Sequence, residues 1–179
     1  MGKSLSTGIQ PPRTDFTIRQ MGIPDWEQYK AIRLQSLQDA PDAFGATYDN
    51  EVQITDAHWQ SRLRSHVEDR LVSSFIAEMN GEAIGLAGGV IFNDTPGTVN
   101  IFQMWVSPTA RRRGVAMALL RQIQLWAGKN ACSKMALSVN ANNEDALTLY
   151  KKAGFWAEGK LDVLRPGSTI PIQPMIKKI

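Results

Sequence analysis

A chain of 179 residues, 43% hydrophobic and 21% charged, has the size and mix of one globular domain with a real core. Its net charge of +3 falls short of the clustered excess that general nucleic-acid binding requires. One cysteine excludes an internal disulfide, two histidines are too few for a metal site, and no apolar run reaches the roughly 18 residues of a membrane span. This composition suits a cytoplasmic protein.

Residues 1–13 are polar, carry Pro11 and Pro12, and are expected to be a disordered leader before a single domain at 14–179. Gly2 and Ser6 match a myristoylation pattern that is short enough to occur by chance. "FTIRQM" alternates and predicts a first strand. From Pro24, "PDWEQYKAIRLQSLQDA" places Trp26, Tyr29, Arg33 and Leu37 on one side of a helix. "APDAFGATYDNEVQI" reads as a loop or broken helix, and "TDAHWQSRLRS" as a second helix capped by Thr55 or Asp56.

"RLVSSFIAEM" and "EAIGLAGGVIF" predict strands joined by a hairpin at Asn80-Gly81. Another strand, "TVNIFQMWVS", follows Pro96-Gly97. The helix "GVAMALLRQIQLWAGK" keeps Val115, Leu119, Ile123 and Trp126 on one face. Cys132, just beyond it, reads as a small packed hydrophobe. "KMALSV" is a strand and "NEDALTLYKKAG" a short helix ended by Gly154. "FWAEGKLDVL" and "IPIQPMIKK" supply two last strands.

One stretch stands apart. In "VSPTARRRGVAMALL" three arginines and Gly114 precede an apolar helix. The first amides of a helix lack internal partners, the helix dipole adds positive potential, and glycine admits close approach to the backbone. Such a mouth binds an anion, most often a phosphate or pyrophosphate. A solvated basic loop before a core helix is the competing reading.

The stretch resembles motif A of the GCN5-related N-acetyltransferases, Gln/Arg-x-x-Gly-x-Gly/Ala after a strand ending in Val-x-Pro. Arg111, Gly114 and Ala116 match it, with Val106 and Pro108 in place. "LSVNANNEDALTLYKKAGF" resembles motif B, with Asn143, Ala146, Leu149, Tyr150, Gly154 and Phe155 in register. The resemblance covers about residues 16–176. It implies an α/β fold in which a mixed, mostly antiparallel sheet of roughly seven strands is flanked by roughly four helices.

It also implies an acetyl-coenzyme A-dependent acetyltransferase acting on a primary amine. The pyrophosphate would lie against Arg111, Arg112, Arg113, Gly114, Val115 and Ala116. Met104, Trp105 and Val106 would pair through their backbone with the pantetheine arm. An amide near Val106 would donate to the thioester carbonyl and the oxyanion. Asn143 caps its helix and would add a cofactor hydrogen bond. Tyr150 would be the general acid, although by itself it also reads as a half-buried helix aromatic.

Many relatives carry a glutamate on the strand before motif A, and here that approximate position holds Asn100, which cannot act as a base. Gln103 cannot either. Asp49 and Glu51 are alternatives acting through water, each read more simply as an exposed carboxylate. Phe44 and Tyr48 either line the acceptor pocket or belong to the core. The expected acceptor is a small molecule. Acetylation of a protein N-terminus or lysine, and a non-catalytic acyl-coenzyme A-binding module, remain alternatives. No metal, nucleic acid or membrane partner is expected, and a homodimer stays open.

Overall fold

The computed structural model describes residues 15–179. The expected leader and the Gly2 pattern lie outside the described residues. Strand β1 (Thr17–Gln20) is followed by a 3-10 turn at Ile23–Asp25 and by α1 (Trp26–Asp39). Pro24 sits in that turn, where its missing amide would have had no intrahelical partner. Helix α1 buries Tyr29, Arg33 and Leu37 as its periodicity predicts, together with Ile32 and Ser36, while Trp26 is partly buried against the same cluster. The loop or broken helix that follows contains the single turn α2 (Tyr48–Glu51). In α3 (Asp56–Glu68) the cap is Thr55, whose hydroxyl accepts from the His58 amide at 3.3 Å.

β2 (Val72–Met79) and β3 (Glu82–Ile91) form the expected hairpin. Asn80 and Gly81 have φ of 53° and 82°, the paired left-handed geometry of a tight two-residue turn. Then come β4 (Thr98–Val106), α4 (Val115–Lys129), β5 (Lys134–Asn140) and α5 (Glu144–Lys152). The predicted strand at 155–164 is instead two short ones, β6 (Trp156–Ala157) and β7 (Asp162–Val163), before β8 (Pro171–Lys178). Both pair with β8, but Ala157 lies opposite Met175 and Asp162 opposite Ile172. More residues advance on one chain than on its partner, so residues between β6 and β7 loop out around Gly159, at φ 86°.

The sheet order is β1-β2-β3-β4-β5-β8-β6, and every pairing is antiparallel except β4 with β5. Two hydrophobic clusters flank it. Along β2, Phe75 and Ala77 belong to the cluster containing Leu119 and Ile123 of α4 and Tyr150 of α5. Ile76, between them, belongs to the cluster containing Tyr29 of α1 and Trp59 and Leu63 of α3. This is the alternation of a strand buried on both faces. Glycines in β3 bring α4 close: a Cβ on Gly89 would stand 3.0 Å from both Trp126 Cζ3 and Val99 Cγ2. Cys132 is buried in the first cluster.

Candidate active site

Strands β4 and β5 pair only from Thr98–Lys134 to Asn100–Ala136. Beyond Asn100 they part, while β5 stays paired to β8 along its other edge. The parting coincides with a bulge in β4. Gly88 pairs with Phe102 and Leu86 with Trp105, so Gln103 and Met104 together face Ala87. Gln103 has φ 57°, a conformation uncommon outside glycine. Its amide is held by Tyr29: the tyrosine hydroxyl accepts from Nε2 at 3.0 Å and lies 3.2 Å from Oε1. Past the bulge, the Ser107 amide donates to Ile84 on β3 at 2.8 Å. Strand alternation therefore turns the preceding amide, that of Val106, toward the gap.

A cavity of about 750 Å³ occupies the gap. Its wall includes Asn143, Ala146 and Tyr150 from the α5 side and Arg33, Phe44 and His66 from the α1/α3 side, so it runs through the sheet. Met104 lines it; Trp105 and Val106 do not. The Trp105 side chain is buried, with Nε1 donating to Asp39 at 2.9 Å.

The helix mouth has the geometry an anion needs. Gly114 is the N-cap of α4 at φ 85°, is exposed, and would have nothing within 4 Å of an added Cβ. The first amide bonded back into the helix is that of Ala118, on the Gly114 carbonyl at 3.0 Å, so the amides of Val115, Ala116 and Met117 have no partner inside the helix. Arg112, at φ 62°, and Arg113 are exposed, and Ala116 is half-buried. Two expectations change. The Val115 side chain is a core residue, 1% exposed, which leaves only its amide for a ligand. The Arg111 side chain is turned away onto protein, with Nε donating to the Val106 carbonyl at 3.0 Å and Nη2 paired with Asp39.

Asn143 caps α5, its Oδ1 accepting from the Ala146 amide at 3.0 Å. Tyr150 is buried edge-on against Phe155, with ring centroids 5.8 Å apart. Burial pushes its phenol well above the ordinary tyrosine value, so the hydroxyl keeps its proton throughout the neutral and mildly alkaline range.

On the α1/α3 side, Phe44 is buried, lines the cavity and lies beneath the Arg33 guanidinium, 4.7 Å from its ring centroid. Tyr48 does not line the cavity; it packs partly buried against the second cluster. Glu51, read from sequence as exposed, is buried and accepts from Arg33 Nε at 3.2 Å and Arg62 Nη1 at 3.3 Å. A carboxylate shared between two guanidinium groups is not a free base. Asp49 is exposed. Neither carboxylate lines the cavity. His66 does: its Nδ1 lies 3.0 Å from Ser74 Oγ, and burial lowers its pKa and favours neutral imidazole. Sequence reasoning gave Arg33 and His66 no functional place. For Arg33 a signal existed, since a cation within an apolar helical stripe requires a buried partner.

The sequence profile described as the Acetyltransferase (GNAT) family matches residues 27–155. This chain belongs to that family, and it is an acyltransferase. It is 29% identical over 144 residues to an aminoglycoside N(6')-acetyltransferase type 1 of Salmonella enteritidis, an alignment covering 77% of this chain and 90% of that protein. A GNAT-family acetyltransferase from Streptococcus pneumoniae superposes with a TM-score of 0.77 at 20% identity, over 92% of this chain and 99% of that one. The spermidine N-acetyltransferase of Vibrio cholerae, solved with CoA and spermine, gives 0.75 at 18% identity over 93% and 96%. At these identities the two structures bear on the fold alone.

Proposed function

We propose that this chain transfers an acetyl group from acetyl-coenzyme A to a primary amine of a small molecule. The observation that carries the reading is the cavity running through the parted strands, with Tyr150 on one side and the Arg33–Phe44 wall on the other. The cofactor supplies an acyl thioester. The free amides of residues 115–117 and the open space over Gly114 suit its pyrophosphate. The unpaired backbone of β4 past Asn100 suits the pantetheine arm.

Within that arrangement the Val106 amide would donate to the acyl oxygen of a bound thioester. Tyr150 Oη would hold the proton that a departing thiolate takes up. No aspartate or glutamate is among the cavity-lining residues, so the amine reaches the acyl carbon already neutral or loses its proton through water. Ala43, Phe44 and Gly45, at the end of the segment 41–45, form a roof on the acceptor side. Arg165 fastens them to the segment between β7 and β8, its Nη1 donating to the carbonyls of Phe44 at 2.9 Å and Pro41 at 3.3 Å. That roof favours a small acceptor over a protein chain.

The test incubates the protein with acetyl-coenzyme A and a panel of small amines and peptides. It measures free thiol and N-acetylated product together. Stoichiometric thiol and acetylated small amine are expected. Acetylation of peptides alone, or no acetylated product from any acceptor, would overturn the reading.

A further inference from the structure

We infer that the acceptor carries an anionic group, a carboxylate in the simplest case, recognised by Arg33 on the α1/α3 side of the cavity. This inference rests on the acetyl-transfer reading and names the class of amine it takes.

Arg33 is 4% exposed and lines the cavity. Its Nε is used on Glu51, but Nη1 is buried without a hydrogen-bond partner among the described residues. An unmatched buried guanidinium donor is costly, and a ligand that pairs with it recovers the cost. The local charge points the same way. Arg33 and Arg62 share the single carboxylate of Glu51, so the wall retains a positive charge. His66, the other basic side chain on this wall, is biased toward its neutral form and leaves that charge unchanged.

No aspartate or glutamate is among the lining residues. A polyamine or aminoglycoside would bring several ammonium groups into a cavity with no counter-charge and one guanidinium. An amine that carries its own carboxylate brings the missing anion. It can place that anion on Arg33 while its amino group points through the gap toward Met104 and Tyr150. The Phe44 ring holds one face of the guanidinium, 4.7 Å from its centroid, and so limits the approach of the anion to the remaining directions.

The experiment compares free amino acids, α and ω, with their carboxamides and with putrescine and spermidine. It uses the whole protein with acetyl-coenzyme A for turnover and with coenzyme A for calorimetric binding. The carboxamide of an α-amino acid has the less basic amine, so a preference for the acid runs against intrinsic reactivity. The best acid should exceed its carboxamide by about ten- to a hundredfold in kcat/KM, mainly through KM, and exceed both polyamines. Arg33→Lys should reduce that ratio several-fold, the acid losing several-fold more kcat/KM than its carboxamide.

Equal use of acid and carboxamide by the native protein, or a preference for the polyamines, would overturn the inference. So would an Arg33→Lys variant in which both acceptors fall alike, since that marks a purely structural arginine. Calorimetry separates this failure from failure of the acetyl-transfer reading. Acid-selective binding without acetylated product would leave the anion site standing and remove the reaction. Acetylated product without acid selectivity would do the reverse.

Discussion

Arg111 is paired with Asp39, which also accepts from Trp105 Nε1, so one carboxylate ties the end of α1 to β4 and to the loop before α4. The first residue of the arginine run therefore shapes the helix mouth and does not reach out from it. Arg111→Met and Asp39→Asn should weaken acetyl-coenzyme A binding to a similar and modest extent, by less than about tenfold (~1.4 kcal/mol). Calorimetry on both variants decides. Loss of binding in Arg111→Met with none in Asp39→Asn would show that the guanidinium reaches the ligand.

Gly114 and Gly128 form an internal contrast on α4. Neither has an atom within 4 Å of an added Cβ, but only Gly114 has a left-handed φ, 85°. Gly114→Val should cost about 1–2 kcal/mol of stability and weaken cofactor binding at least about tenfold, because the branch occupies the anion's approach. Gly128→Ala should stabilise the helix by up to about 1 kcal/mol and leave binding unchanged. Thermal melts and titrations on the folded variants test both; unaltered cofactor affinity in Gly114→Val would remove the helix mouth from the site.

Among the described residues no carboxylate lines the cavity, and an alkyl amine, with a pKa of about 10.4, is neutral in only about one molecule in 2,500 near pH 7. The second-order rate constant on the amine should therefore keep rising well above pH 8. Asp49→Asn should retain most activity. Glu51→Gln should lose about 3 kcal/mol or more of stability, because two guanidinium groups lose their shared partner. Below its melting temperature that variant should still show the rising pH profile. A plateau near neutrality that disappears in His66→Gln would instead make His66 the base.

Arg19 governs acid stability far from the site. Its hydrogen bonds hold the Asp25 and Glu78 carboxyls below their ordinary values. Depressed folded-state pKa values stabilise above the unfolded pKa, and that contribution is lost as pH falls through the folded values. The Tm difference between the native protein and Arg19→Met should be largest near neutral pH and shrink as the pH falls through the carboxylate range. A difference independent of pH would contradict this assignment.

Much of this architecture is legible in the sequence where local chemistry is strong. Asn80-Gly81 announces its hairpin, the Thr55-Asp56 pair a cap that falls on Thr55, and the spacing of Val115, Leu119 and Ile123 the buried face of α4. The helix mouth was visible for the same reason, since Gly114 and its neighbours are contiguous. What escaped depends on contacts between distant residues. Glu51 is buried because Arg33 and Arg62, on two other helices, converge on it. The bulge at Gln103 is held by Tyr29, which is 74 positions away in the chain. The break between β6 and β7 follows from the register against β8, and Gly159 is a local signal for it that an alternating pattern hides.

The central claim is tested most directly by Tyr150→Phe, assayed as single-turnover acetyl transfer at saturating acetyl-coenzyme A. The substitution removes one hydroxyl and keeps the ring packed on Phe155, so stability should change by no more than about 1 kcal/mol and cofactor affinity should hold. Turnover should fall by roughly 10²-fold or more, because the sulfur loses its proton source. Unchanged single-turnover chemistry in a folded variant that binds acetyl-coenzyme A would contradict the account, since the tyrosine on the cavity wall would then have no part in the reaction.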